Sequence, residues 1–327
     1  MSEMREFHDE LRAVARDLLD QAGDEVEWRQ LADAGWLGLE LPESLGGAGA
    51  SFVETAIVLE ELGRAAARSR YLGSMLAVGA LTALSPNDSR DVLLERIGAG
   101  ASVAFASGFS LSDGAVSGRA EFVADAEGAS TVLLLADDGG TPTIVTSSEL
   151  TVVAQPVLDE TRALAIVTAD GAAVSEAWPL PVDPSVLRDR AAAAVACDSL
   201  GVAEAMLSAT VDYVKVRQQF GRPIGSFQAV KHACADMLVQ VSIARHLVNA
   251  AVARVAEGAD ASVAVSMAKS YACGAAVEVV GKAMQLHGGI GYTWESGVHT
   301  YLKRAMLNRA LFGSPAAHRK RLAARYH

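Results

Sequence analysis

A chain of 327 residues with 51% apolar and 20% charged side chains can bury a large core, which excludes a disordered polypeptide. Its 28 Lys and Arg against 39 Asp and Glu leave a net charge of −11, which excludes a general nucleic-acid binder with its basic surface but not a local groove for a phosphorylated cofactor. Aromatic residues are scarce at 6% and alanine is abundant, and alanine is the best helix former.

Phe7, Leu11, Val14, Ala15 and Leu18 recur at helical spacing and predict an opening helix. The segment is mixed in charge and lacks the apolar run of a signal peptide. A short helix over Trp28–Ala34 ends at Gly35, and a turn-rich stretch, GWLGLELPESLGGAGAS, follows. Ser51 with Glu54 three residues on reads as a capping box for a helix over Val53–Ala66. Helices over Leu72–Leu84 and Asp88–Ile97 come next. The uncharged stretch Tyr71–Asn87 is broken by Gly, Ser, Thr and Pro and falls short of the roughly 20 apolar residues a membrane span needs. A cytoplasmic protein with no membrane contact is expected.

The texture changes near Gly98. Ser102–Ala106, Thr131–Leu135, Thr143–Thr146, Leu150–Val153 and Ala163–Val167 are short apolar or β-branched runs between turn formers, the pattern of a small antiparallel sheet. Helical texture returns near Pro184. It predicts helices over Val186–Gln219, over Phe227–Glu257 with Ser226 as its cap, from Asp260 to about Leu286, over Gly297–Leu311, and over Ala316–Arg325 after Gly313-Ser314-Pro315. Segregated blocks of helices, strands and helices indicate an α+β fold, divided at 1–98, 99–182 and 183–327.

The chain has no dinucleotide GxGxxG after a strand, no phosphate loop and no GxSxG elbow. Cys197, Cys234 and Cys273 and the seven histidines have no metal-ligand spacing, so no metal is expected and the thiols read as buried and free. Two segments stand out. Arg217-Gln218-Gln219-Phe220-Gly221-Arg222-Pro223-Ile224-Gly225-Ser226-Phe227-Gln228 joins two long helices. An arginine just before such a connection can present its guanidinium to a phosphate, and an ordinary interhelical turn is the competing reading. Gln285-Leu286-His287-Gly288-Gly289-Ile290-Gly291 places three glycines within four residues, where a backbone can approach a ligand closely or a helix can simply end.

Together with the Leu31–Ala66 segment, these two motifs resemble the acyl-CoA dehydrogenase family, and the resemblance covers nearly the whole chain. It implies a helical N-terminal domain, a β middle domain and a C-terminal four-helix bundle. It also implies FAD as cofactor, bound across a subunit interface by Arg217, Gln219 and Phe220 and by Gln285, Gly288 and Gly289. An acyl-CoA thioester would be the substrate, desaturated between Cα and Cβ, and an electron-transferring flavoprotein would be the acceptor.

The family's base is a glutamate in a Tyr-Glu-Gly-Thr motif, and the matching stretch here is Leu311-Phe312-Gly313-Ser314. Some relatives carry the base on the long helix instead. With Gly201 as the glycine that follows that slot, Ala191 fills it. Asp189 lies two residues away, Asp198 lies roughly 10 Å along the helix, and Glu295 stands at a helix start; these are the remaining carboxylates to weigh. The ring-binding stretches of the middle domain reduce to Ser107, Ser112-Asp113 and Phe122-Val123-Ala124. Short family members of this kind pair with a second subunit in actinobacterial steroid catabolism, so a second acyl-CoA dehydrogenase-like subunit is expected. A self-sufficient enzyme with a displaced base and a non-catalytic CoA-ester binding scaffold are the alternatives.

Overall fold

Where the apolar spacing is helical, helices form. The computed structural model describes residues 2–23 and 25–325, and in it α1 spans Ser2–Ala22, α2 Trp28–Asp33, α3 Phe52–Arg64, α4 Tyr71–Thr82 and α5 Asp88–Gly98. The capping box at α3 is present: Val53 N donates to Ser51 Oγ at 3.1 Å and Ser51 N to Glu54 Oε2 at 2.8 Å. α4 is buried from Tyr71 through Leu81, which is why it shows no polar face.

The strands of the main sheet are β1 Val103–Ser112, β2 Ala115–Ala124, β3 Thr131–Asp138, β4 Thr141–Thr146, β5 Thr151–Ala154, β6 Leu164–Ala173 and β7 Glu176–Pro179, in the order β5-β6-β2-β1-β3-β4-β7. Every pairing is antiparallel except β1 with β3, which is parallel. Ala104, Phe109, Val116, Leu134, Val145 and Val167 are among the side chains that fill the sheet's core. β2 and β7 were not expected. β2 is rich in small and charged residues, and β7 is a four-residue edge strand ending in proline, which cannot donate to a sheet ladder.

The second helical block comprises α6 Ser185–Val216, α7 Gln228–Ala256, α8 Ser262–His287, α9 Val298–Ala310 and α10 Pro315–Ala323. α8 lies against α7, α9 and α10, and its Cys273 Sγ accepts from Ser199 Oγ of α6 at 3.3 Å. α3 and α6 cross with backbones in contact. A Cβ at Gly201 would strike the Glu60 carbonyl and one at Gly63 would strike that of Asp198, so both positions need glycine. α6 and Ser262–Tyr292 are long and apolar enough to cross a membrane by length and composition, but 78% of the most apolar window of α6 is buried inside the fold.

The chain forms two compact units. One holds α1, Ala56–Ala67 and the chain from Ala192 onward; the other holds Glu25–Thr55 and Arg68–Ala191. In the first, Glu60 and Glu61 of α3 are almost fully buried and are neutralised by Arg12 and Arg16 of α1 and by Arg245 of α7. In the second, Glu40 pairs with Arg190, whose guanidinium stacks 4.5 Å from the Phe52 ring centroid.

Candidate functional site

The α6–α7 connection is a miniature hairpin, Gln218–Gln219 against Arg222–Pro223, turned by Phe220 and Gly221. Both turn residues have positive φ, 52° and 76°. A two-residue hairpin loop of this hand favours Asn or Gly, and a phenylalanine held there is strained. Its ring is 91% exposed. The hairpin is nevertheless well anchored. Arg217 N donates to Tyr213 O at 2.9 Å and Ile224 N to Arg217 O at 2.8 Å. The Phe227 ring meets Phe220 edge-on, with centroids 6.1 Å apart, and carries the Arg222 guanidinium 4.2 Å from its centroid. Arg217 itself is exposed, and its guanidinium has no hydrogen bond or ion pair among the described residues. Ser226 does not cap α7 as expected. The cap position is Phe227, because a short 3₁₀ turn over Ile224–Ser226 intervenes, and the Ser226 Oγ is buried without a partner among the described residues.

At the end of α8, Gln285, Gly288 and Gly289 are exposed. Nothing lies within 4 Å of where a Cβ would stand on Gly288 or Gly289, so this backbone faces open space. Gly291 is the opposite case: a Cβ there would lie 2.5 Å from Met284 O, which folds the corner tightly onto α8. The hairpin and the glycine corner meet at Tyr213 and His287. Their rings stack at 4.4 Å with 20° between planes, and Tyr213 Oη donates to His287 O at 3.3 Å. Arg217 and Phe220 therefore share one end of the first unit with Gln285, Gly288 and Gly289. Gln219, on the hairpin, is exposed there too. The same unit exposes Ile290, Tyr292 and Trp294, the last capped by Lys303 at 5.2 Å.

The three candidate carboxylates have different surroundings. Asp198 is closed to solvent; its Oδ1 accepts from Arg304 Nε at 2.9 Å and Asn308 Nδ2 at 2.6 Å, and its Oδ2 from Arg304 Nη2 at 2.6 Å. Asp189 is buried on α6 beside Arg190. Glu295 is exposed, and hydrogen bonds from Thr293 and from its own backbone hold its carboxyl below the usual range, as expected of an anion at a helix start.

The Leu311–Ser314 turn carries no carboxylate. Phe312 and Gly313 there have φ of 53° and 99°. The fully buried Lys269 donates to the carbonyls of Asn308 at 2.9 Å, Arg309 at 3.3 Å and Gly313 at 2.9 Å, and His318 Nε2 donates to Phe312 O at 3.0 Å. The turn is thus pinned by two cationic or donor side chains under its carbonyls, a favourable arrangement at a helix C-terminus.

In the sheet unit, Gly108 has φ of 100°, and the register of β1 shifts between Ser107 and Phe109. Asp113 is also left-handed and accepts from Ser112 Oγ at 3.2 Å. Phe122 is left-handed and 44% exposed, and its N–H is already given to Gln155 Oε1 at 2.7 Å. Among the described residues no group of three or more His, Cys, Asp or Glu could hold a metal ion.

Tyr213, Lys269, Arg304 and Asn308 were not singled out from the sequence. Tyr213 could have been, since it stands one helical turn before Arg217. The other three act through long-range contacts.

The profile described as the acyl-CoA dehydrogenase N-terminal domain matches residues 1–101, and that of the acyl-CoA dehydrogenase C-terminal domain matches residues 189–327. Acyl-CoA dehydrogenase IpdE2 of Mycolicibacterium smegmatis is 36% identical over 321 residues, spanning 98% of this chain and 94% of that protein. Its namesake from Mycobacterium tuberculosis is 37% identical, spanning 93% and 87%. Among solved structures, a variant of the Tcur3481-Tcur3483 steroid ACAD superposes with a TM-score of 0.86 at 27% identity, covering 98% of this chain and 97% of that one. The ChsE4-ChsE5 complex of Mycobacterium tuberculosis gives 0.87 at 26% identity, covering 98% and 96%.

Proposed function

The chain belongs to the acyl-CoA dehydrogenase family, and from that membership we propose that it is one subunit of a heteromeric, FAD-dependent acyl-CoA dehydrogenase acting on a bulky, steroid-derived CoA thioester. The observation that carries the proposal is the Leu311–Ser314 turn, which holds no carboxylate and is fixed from beneath by Lys269 and His318. A base must reach the substrate's α-proton with an available lone pair. Asp198 has committed both oxygens to Arg304 and Asn308. Glu295 is exposed, and local hydrogen bonds hold its carboxyl below the usual range. Asp189 is buried on α6 beside Arg190, and on this reading the base comes from a second acyl-CoA dehydrogenase-like chain.

The residues at the end of the first unit fit a dinucleotide. Arg217 offers an exposed guanidinium with no partner among the described residues for a diphosphate, Phe220 offers a solvent-facing ring in a strained turn, and Gly288 and Gly289 offer open backbone. Gln219 and Gln285 stand beside them with exposed amides. When bound, FAD supplies the acceptor for the β-hydride. This chain's residues hold its diphosphate end and orient it. Phe122 has given its amide to Gln155, so this chain's sheet has one donor fewer for a ring of its own. An electron-transferring flavoprotein as acceptor and a cytoplasmic location complete the proposal.

The test is flavin content. The chain expressed alone should purify colourless, and the same chain co-expressed with a second acyl-CoA dehydrogenase-like chain should purify yellow. A chain that holds equimolar flavin by itself would overturn the shared-cofactor reading.

A further inference from the structure

His287 stands inside the glycine motif without a role in the cofactor reading above, and Tyr213 lies outside both motifs. We propose that these two are positioning residues whose stacked rings lock the Arg217–Phe220 hairpin and the Gly288–Gly289 corner into one preassembled cradle for the dinucleotide. The proposal rests on the flavin-binding reading and adds to it the device that holds the two loops together.

Tyr213 is connected in both directions. Its carbonyl accepts from Arg217 N at 2.9 Å, at the point where α6 gives way to the hairpin. Its hydroxyl donates to His287 O at 3.3 Å, on the last residue of α8. The stacked rings, 4.4 Å apart, close the gap between the two helix ends. The His287 ring is fixed in turn, with Nδ1 lying 2.8 Å from Ala283 O. A carbonyl only accepts, so Nδ1 is assigned the proton and the ring cannot flip without losing that bond. The chain leaves the helix at the next residue, Gly288, with φ of 63°. Gly291 then packs back so closely that a Cβ would lie 3.0 Å from His287 Cβ.

Tyr213 and His287 are both half-buried, at the rim rather than in the core. The residues they hold, Arg217, Phe220, Gly288 and Gly289, are exposed. Loops fixed beforehand in the bound geometry lower the ordering cost of binding, so the contribution of the stack is to ligand retention.

The experiment uses the complex purified with its partner chain and FAD, and follows flavin release by its fluorescence together with thermal unfolding. Tyr213→Leu and His287→Leu should each release flavin about three- to tenfold faster. The double variant should be no worse than either single one, because the two share one contact. Tyr213→Phe keeps the stack and should stay within about twofold of wild type. Melting temperatures should be nearly unchanged. Arg217→Ala is the control for the flavin reading. If Arg217→Ala loses flavin and Tyr213→Leu and His287→Leu do not, the positioning role is overturned and the cofactor reading stands. If none of the three changes retention, the cradle itself is wrong. Additive effects in the double variant also contradict a shared contact.

Discussion

Asp198 and Arg304 form a two-point ion pair with both side chains closed to solvent: Nε to Oδ1 at 2.9 Å and Nη2 to Oδ2 at 2.6 Å. Arg304 also donates from Nη1 to Ala67 O at 2.8 Å, joining α9 to the end of the α3 segment and to α6. Breaking a buried pair from one side strands the other charge. Asp198→Asn should therefore destabilise the chain by about 3–5 kcal/mol. Chemical denaturation would measure it. A stable Asp198→Asn complex that has lost only flavin reduction would instead make Asp198 the base.

Glu295 and Asp189 should be dispensable for proton abstraction. In the active complex, Glu295→Gln and Asp189→Asn are each expected to change turnover by less than about threefold, below the 100-fold scale of a lost general base. Steady-state kinetics would settle it. A drop of 100-fold or more with flavin content intact would identify the altered residue as a catalytic base in this chain.

Phe220 occupies a backbone conformation that glycine adopts freely. Phe220→Gly should relieve about 1 kcal/mol of turn strain and raise the melting temperature slightly, while flavin is lost more readily because the exposed ring is gone. Opposite signs in the two measurements are the signature of strain kept for function. A variant that loses stability would mean the ring's contact with Phe227 outweighs the strain.

Much of the fold was legible because helices announce themselves locally. Ser51 and Glu54 marked the start of α3, and the long apolar periodicities placed α6 to α9 within a few residues of their ends. The sheet was less legible. β2 carries Gly118, Arg119 and Glu121 where a pattern search wants β-branched residues, and the parallel pairing of β1 with β3 is set by topology, not composition. Ser226 looked like a cap because serine before a helix usually is one; the intervening 3₁₀ turn moved the cap position on to Phe227. At the site, the motif residues could be read from their resemblance to the family. Arg304 could not be connected to Asp198 from sequence, since 106 positions separate them.

Lys269 offers a pH test. Burial pushes its ammonium below the ordinary value of 10.5 despite three surrounding carbonyls. Between that lowered value and 10.5 the unfolded chain binds this proton more than the folded chain does. Stability therefore rises with pH through the window, and the penalty is fully present below it. Lys269→Met should remove this rise, flattening the slope by up to about 1.4 kcal/mol per pH unit relative to wild type. Parallel stability profiles for the two proteins would contradict a charge held at a cost.

The central claim is that this chain lacks the base and its partner supplies it. The most direct measurement is anaerobic bleaching of flavin absorbance by a steroid-derived acyl-CoA. It is made on the chain reconstituted alone with FAD and on the co-purified pair. The account predicts bleaching only in the pair, abolished when the partner's carboxylate is replaced by its amide. Bleaching by the chain alone would contradict it.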